Sequence, residues 1–225
     1  MLVLPPAAAD GAAQMARDEE LLETARGTVA RRYVWEPPAI SLGKFQEVDA
    51  TSGLGVEVVR RPTGGRAVLH GAGFEWSFAV VFPLVELGSP SLQGSYRFVT
   101  TALRRAFERE GVRFDDSREV PYQRSALCFT TALRHDLLVA GDKVVAVAQA
   151  RRGRNVLVHG SVLERRPPEG LVAAIERLVG EPWRGEGLAA TGLAVDADRV
   201  WERFTAHLEA ALGAGAPPIE KEVVS

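Results

Sequence analysis

A single cysteine, four histidines and no long apolar run set the first limits on this chain of 225 residues. One cysteine excludes an internal disulfide, so a reducing compartment, the cytoplasm, is the expected location. With so few thiols and imidazoles, and those scattered, there is no metal-ligand spacing, and no metal is expected. No apolar stretch is long enough to span a bilayer. The N-terminal MLVLPPAAAD lacks the basic segment of a secretory signal, so no membrane partner is expected. Charge of one sign is not in excess either: 27 basic against 29 acidic residues leave a net charge of −2. That balance argues against nucleic acid as a general partner. Internal repeats are absent.

What is present suits a soluble globular protein, with 46% hydrophobic and 25% charged residues. A chain of this length can bury a core without staples. No linker interrupts its middle, so one domain over 1–225 is expected. Its ordered core runs over about 12–212, followed by an Ala/Gly/Pro-rich flexible tail, 213–225.

Asp10 is placed to cap a helix over about Ala12 to Val29, with Met15, Leu22, Ala25 and Val29 at helical spacing. Tyr33 to Trp35 and Ala39 to Leu42 read as short strands split by Pro37-Pro38, and Gly55 to Arg60 as a further strand. Phe74 to Phe82 alternates large apolar with small or polar residues, the pattern of a half-buried strand. Leu92, Tyr96, Val99, Leu103 and Phe107 mark a helix stopped by Gly111. A hairpin follows, with a Gly141-Asp142 turn between the strand of HDLLVA and Lys143 to Ala150. Arg151 to Asn155 forms a turn and Val156 to Leu163 a strand. Pro167-Pro168 opens a helix closed by Gly180, and Val200, Phe204, Leu208 and Ala211 mark the last one. Runs of strands, rather than strict alternation with helices, predict an α+β fold with a central mixed or antiparallel sheet flanked by helices.

Four stretches carry chemistry. In RRPTGGRAVLHG (Arg60 to Gly71), Gly64-Gly65 permits a sharp turn or close backbone approach, and Arg60, Arg61 and Arg66 offer forked donors for an anion. The stretch matches neither a P-loop nor a dinucleotide fingerprint, and on spacing alone a plain hairpin with solvated arginines is the commoner outcome. Cys128, between Leu127 and Phe129, fits a small buried hydrophobe or a nucleophile. The second role needs a nearby cation or base, and Lys143, His159, His70 and His135 are the candidates. His159 lies within an apolar strand, where a satisfied core histidine is the commoner outcome. The basic cluster Arg151, Arg152 and Arg154 fits a solvated hairpin tip or a dock for an acidic partner.

Taken in order along the chain, these stretches resemble the lipoate/octanoate branch of the biotin and lipoate protein ligase family. AAQMARDEELL resembles its opening helix and SLGKFQ its strand and loop. RRPTGGRAVLH resembles its signature, DLLVAGDKVVAVAQARR its Asp-Leu…Gly-x-Lys segment, and HGSVL a later strand. ATP-dependent ligases of that family usually read Gly-Gly-Gly where this chain has Gly64-Gly65-Arg66. The sequence GGRAVLH, with Cys128-Phe129 just before the Asp-Leu strand, is similar to the cysteine-dependent octanoyltransferases. Two departures stand out: Ala146-Val147 replaces a Gly-Ser-like pair, with the prospect of a narrowed site, and TTALRH replaces a Pro-Ser-x-Tyr-like run.

The resemblance implies an octanoyltransferase that uses no ATP or other cofactor. Octanoyl-acyl carrier protein would be the donor. Lipoyl domains would be the acceptors, in the glycine-cleavage H protein and the acyltransferase subunits of 2-oxoacid dehydrogenases. It implies Cys128 as nucleophile and Lys143 as its cation. The implied substrate-binding set is Arg60, Arg61, Thr63, Gly64, Gly65, Arg66, His70, Gln149, His159 and Gly160. Val68, Trp76 and Phe78 would wall an eight-carbon tunnel, and backbone donors near Gly64-Gly65 or His159-Gly160 would hold an oxyanion. The alternatives are an ATP-dependent ligase without a fused accessory domain, an amidotransferase between lipoyl domains, and a non-catalytic lipoyl-domain binder.

Overall fold

Strand-forming residues between Val29 and Leu163 build the centre of the molecule. The computed structural model describes residues 1–48, 53–88, 91–116 and 124–214, so the expected tail falls outside the described residues from 215 onward. The main sheet contains β1 (Leu2–Val3), β2 (Ala7–Ala9), β3 (Val29–Trp35), β7 (Glu75–Pro83), β8 (Leu137–Val139), β9 (Asp142–Arg152) and β10 (Asn155–Leu163). Its order is β1-β3-β7-β10-β9-β8, with β2 also on β3. β1 and β2 run parallel to β3, and the remaining pairs are antiparallel. A second, three-stranded sheet holds β4 (Ala39–Leu42) between β5 (Glu57–Arg60) and β6 (Val68–His70). The helices are α1 (Gly11–Thr24), α2 (Leu92–Glu108), α3 (Glu169–Val179) and α4 (Ala197–Gly213). The expected α+β fold with a mixed sheet is the one observed.

Asp10 caps α1 as expected, accepting from the Ala13 amide at 2.7 Å. The helix stops at Thr24, short of Val29, because Gly27 weakens any continuation and the β-branched Val29 pairs with Val81 in the sheet. The Ala-rich N-terminus adds β1 and β2, for which the sequence has no strand signal beyond Leu2-Val3. The turn between β8 and β9 is Ala140-Gly141, both at positive φ (51° and 84°), so it sits one residue earlier than expected and Asp142 opens β9.

β7 is buried at all nine positions rather than on one face. Trp76, Phe78, Val80 and Phe82 pack against Val99, Leu103 and Phe107 of α2 and Val200, Phe204 and Leu208 of α4. The opposite face, Ala79 and Val81, packs under Met15, Leu22 and Trp35. A strand between two covered faces needs no polar side, and the small residues there leave room above the sheet. A third apolar cluster joins the second sheet to α3 through Leu69, Leu127, Phe129, Ile175 and Trp183.

Candidate active site

The cleft lies between the main sheet and the second sheet. It holds about 560 Å³ of empty space, counted with its open mouth. Small residues of the main sheet, Ser77, Ala146, Ala148 and Ser161, border it, and Met15, Trp35, Val68 and Leu133 supply apolar walls. Trp76 and Phe78, expected as tunnel walls, point to the other side of β7 into the α2–α4 core. The strand alternation behind that expectation is present, but the face with large side chains is the one under the helices.

Cys128 opens a short 3-10 turn and is partly exposed. Its amide donates to the Ala67 carbonyl at 2.9 Å, and the Ala67 amide donates to Ala126 O at 3.0 Å. The loop of the arginine–glycine motif therefore runs beside the cysteine as a one-residue strand. Glu181 fixes the other side, accepting from the Ala126 amide at 3.0 Å and from Ser125 Oγ at 2.5 Å.

Lys143 reaches Cys128 Sγ at 3.7 Å and Asp136 Oδ2 at 2.8 Å, and both Lys143 and Asp136 are buried. The β8–β9 hairpin makes this possible, because Lys143 and Leu138 are partners in the ladder and Asp136 stands just ahead of it. Asp136 also accepts from the Leu133 amide at 2.8 Å and the Val147 amide at 3.3 Å. Burial pushes the Lys143 pKa down, but the negative charges of Cys128 and Asp136 more than offset it, and the net shift is upward. The lysine is an ammonium beside a sulfur. Asp136 was not among the expected site residues, although its Asp-Leu step was part of the quoted motif.

Of the remaining expected residues, Arg61, Gly65, Arg66, His70, His159 and Gly160 line the same cleft as Cys128 and Lys143. Arg61 is 6% exposed. It donates to Ser41 O (2.8 Å), Ser41 Oγ (2.7 Å), Gly64 O (3.1 Å) and Arg66 O (2.9 Å). Burial lowers its pKa, against the raising effect of Cys128 and Tyr33. Arg66 reaches Thr131 Oγ1 at 3.2 Å, next to the cysteine turn. Gly65 sits at φ 100°, which favours glycine, and a Cβ on Gly43 would overlap the Gly65 carbonyl oxygen. At Gly160 a Cβ would stand 2.5 Å from Ala146 O and 2.6 Å from Phe78 Cζ.

Four expected residues lie outside the cleft lining. Arg60 clamps the 43–46 loop, donating to Gly43 O at 2.8 Å and Gln46 O at 2.7 Å. Thr63 is buried against His159. Gly64 contributes its carbonyl to Arg61. Gln149 donates to Leu92 O at 2.8 Å, joining β9 to the start of α2. His135, a candidate partner for the cysteine, instead stacks on Tyr96 with centroids 3.8 Å apart, and burial lowers its pKa. Arg151 bonds Ser95 Oγ at 2.9 Å and Arg152 pairs with Glu23, so two arginines of the basic cluster are engaged within the fold and none of the three lines the cleft.

Behind the cleft lies a network that sequence reasoning missed. Asp18 of α1, fully buried, meets Arg31 at 3.1 Å, Tyr33 Oη at 3.1 Å and His159 Nδ1 at 2.9 Å. Burial first, then Asp18, raises the Tyr33 pKa well above its ordinary value, so the phenol stays neutral and donates. The only sequence signal for Asp18 is an acid on the apolar stripe of α1, in line with Met15 and Leu22.

This architecture matches known structures. The putative lipoate protein ligase Ta0514 from T. acidophilum, solved with bound lipoic acid, superposes with a TM-score of 0.71 over 94% of this chain and 85% of that one, at 20% identity. Residues 10–175 match the lipoyl protein ligase A/B catalytic domain, and the chain belongs to that family. The octanoyltransferase LipM of Kyrpidia tusciae is 36% identical over 92% of this chain and 85% of its own length. The octanoyltransferase LipM of Carboxydothermus hydrogenoformans is 39% identical over 68% of this chain, and the match spans 61% of that relative's length.

Proposed function

We propose that the protein transfers an octanoyl group from octanoyl-acyl carrier protein to a lysine of lipoyl domains, through a thioester on Cys128. The observation that carries this reading is the Lys143 ammonium 3.7 Å from Cys128 Sγ at the edge of an apolar cleft. The LipM names of the relatives supply the acyl group.

In the first step the Cys128 thiolate attacks the donor's thioester carbonyl, the bond to the carrier's sulfur breaks, and that sulfur leaves as a thiol after taking a proton. The acyl group is then a thioester of Cys128. In the second step the ε-amine of the acceptor lysine attacks the same carbonyl, loses a proton, and Cys128 leaves as thiolate. Lys143 stabilises the thiolate at the start and end of the cycle, and Asp136 keeps the buried ammonium paired throughout. The first exchange is thioester for thioester and the second forms an amide, so neither needs ATP. Each methylene sheltered by Met15, Trp35 and Val68 contributes about 0.8 kcal/mol to holding the chain. The acceptors are the lipoyl domains of the H protein and of 2-oxoacid dehydrogenase acyltransferase subunits, and the site of action is the cytoplasm, in one domain.

The test is transfer from octanoyl-acyl carrier protein to a lipoyl domain without nucleotide, followed by mass spectrometry of the acceptor. Octanoylation of one lysine is expected. Modification that appears only with ATP and the free acid would replace this reading with a ligase, and octanoylation only from an octanoylated lipoyl domain would replace it with an amidotransferase. Tight binding without turnover on any donor would leave a binding protein.

A further inference from the structure

The acyl-transfer steps leave two buried histidines without a chemical role, and both end on the same loop. On one side, Asp18 Oδ2 lies 2.9 Å from His159 Nδ1, and His159 Nε2 lies 2.8 Å from Thr63 Oγ1. On the other, Glu75 Oε1 lies 3.2 Å from His70 Nδ1, and His70 Nε2 lies 2.7 Å from Ser41 Oγ. That serine hydroxyl also accepts from Arg61 Nη1 at 2.7 Å. All seven residues are buried, and five separate elements, α1, β4, β6, β7 and β10, supply the parts that converge on the loop.

Hydrogen-bond direction is consistent in both chains. An ionised carboxylate only accepts, so each imidazole donates from Nδ1 and, when neutral, accepts at Nε2 from a hydroxyl. Burial lowers the His70 pKa, which keeps that ring neutral, and Trp35 stacks on it at 4.0 Å. Ser41 takes a hydrogen bond from Arg61 and gives its own proton to His70. Arg61 and Thr63 are thereby held at one end of the loop whose other end, Ala67, exchanges backbone hydrogen bonds with Ala126 and Cys128.

We propose that the chains Asp18–His159–Thr63 and Glu75–His70–Ser41–Arg61 are positioning relays. They hold loop 61–67, and through Ala67 they hold the Cys128 thiol in reach of Lys143. This rests on the cysteine acyl-transfer reading. The residues touch no reacting atom and act through the placement of the cysteine. A displacement on the order of 1 Å at a reacting group is enough to cost about 10²-fold in rate.

The test compares Thr63→Val, which removes the hydroxyl and keeps the shape, with Thr63→Ser, which keeps the hydroxyl. The readouts are the single-turnover rate of acylation by octanoyl-acyl carrier protein, the KM for that donor, and the rate of Cys128 alkylation by iodoacetamide. Thr63→Val is expected to slow acylation by about tenfold or more while KM stays within about twofold, and to slow alkylation in parallel. Thr63→Ser restores both rates to within about threefold of wild type. Wild-type rates in Thr63→Val would overturn the proposal. So would Thr63→Ser as slow as Thr63→Val, because packing and not the hydroxyl would then be at work. If Thr63→Val does not fold, Ser41→Ala, which cuts the other relay, is judged by the same criteria. Absence of any acyl adduct on the wild-type protein would sink the acyl-transfer reading instead, and the alkylation rates would still decide the relays.

Discussion

Replacing Lys143 with methionine removes the charge beside Cys128 and keeps most of the side chain's volume. With Nζ 3.7 Å from Sγ, a thiolate–ammonium pair is worth about 4.5 kcal/mol at an effective dielectric of about 20. Cys128 is partly exposed at the cleft mouth, so water screens the pair, and roughly half of that energy is the reasonable expectation. At about 1.4 kcal/mol per factor of ten, the acylation rate falls about 40-fold in Lys143→Met. The same change strands Asp136, 2% exposed, without its cation. An uncompensated buried charge costs about 3–5 kcal/mol, so the single variant also melts early. The double variant Lys143→Met/Asp136→Asn separates the two effects, because it removes the stranded charge without restoring the ammonium. The assay is single-turnover acylation by octanoyl-acyl carrier protein, run alongside thermal melting. The expected result is recovered melting in the double variant with acylation still about 40-fold slow. A double variant that acylates within about threefold of wild type would show that the ammonium does not serve the thiol.

Other consequences follow from the same geometry. The Lys143 pKa is raised above its unfolded value, so the pair's stabilisation is fully present below about pH 10.4 and is lost as pH rises through the folded value. Thermal melting of the wild type should therefore decline in that alkaline window, and the decline should flatten in Asp136→Asn, whose lysine lacks the carboxylate. Gly43→Ala would drive a Cβ into the Gly65 carbonyl and displace the 61–67 loop; loss of both alkylation and acylation is expected, whereas Gly64→Ala, with open space around its Cβ, should keep the fold. Asp10→Ala removes the α1 cap and should lower stability by about 1 kcal/mol in denaturant melts, because only the Ala13 amide loses its partner.

The parts of this protein that follow local rules were legible in its sequence. Caps at Asp10 and Gly180, the stripe of α2 and the β9–β10 hairpin all depend on residues within a few positions of one another. The family resemblance was equally legible, since its motifs are contiguous words. What escaped depends on packing between distant segments. The alternation of β7 was clear, but it does not say that α1 covers the small face, so Trp76 and Phe78 were expected on the wrong side. Asp18 looks like any helical acid until β3 and β10 bring Arg31, Tyr33 and His159 to it. Asp136 precedes Lys143 by seven residues, and only the two-residue turn between them makes it the lysine's partner. Arg60 and Thr63 carry the signature's polar atoms, yet those atoms face the chain's own loop and His159 rather than the cleft.

Every step of the proposed transfer passes through a covalent acyl-enzyme at Cys128. Intact-protein mass spectrometry after incubation with octanoyl-acyl carrier protein, in the absence of ATP, tests it most directly. The wild-type protein should gain one octanoyl group that hydroxylamine removes, and Cys128→Ala should gain none. No adduct on the wild-type protein, or the same adduct on Cys128→Ala, would contradict it.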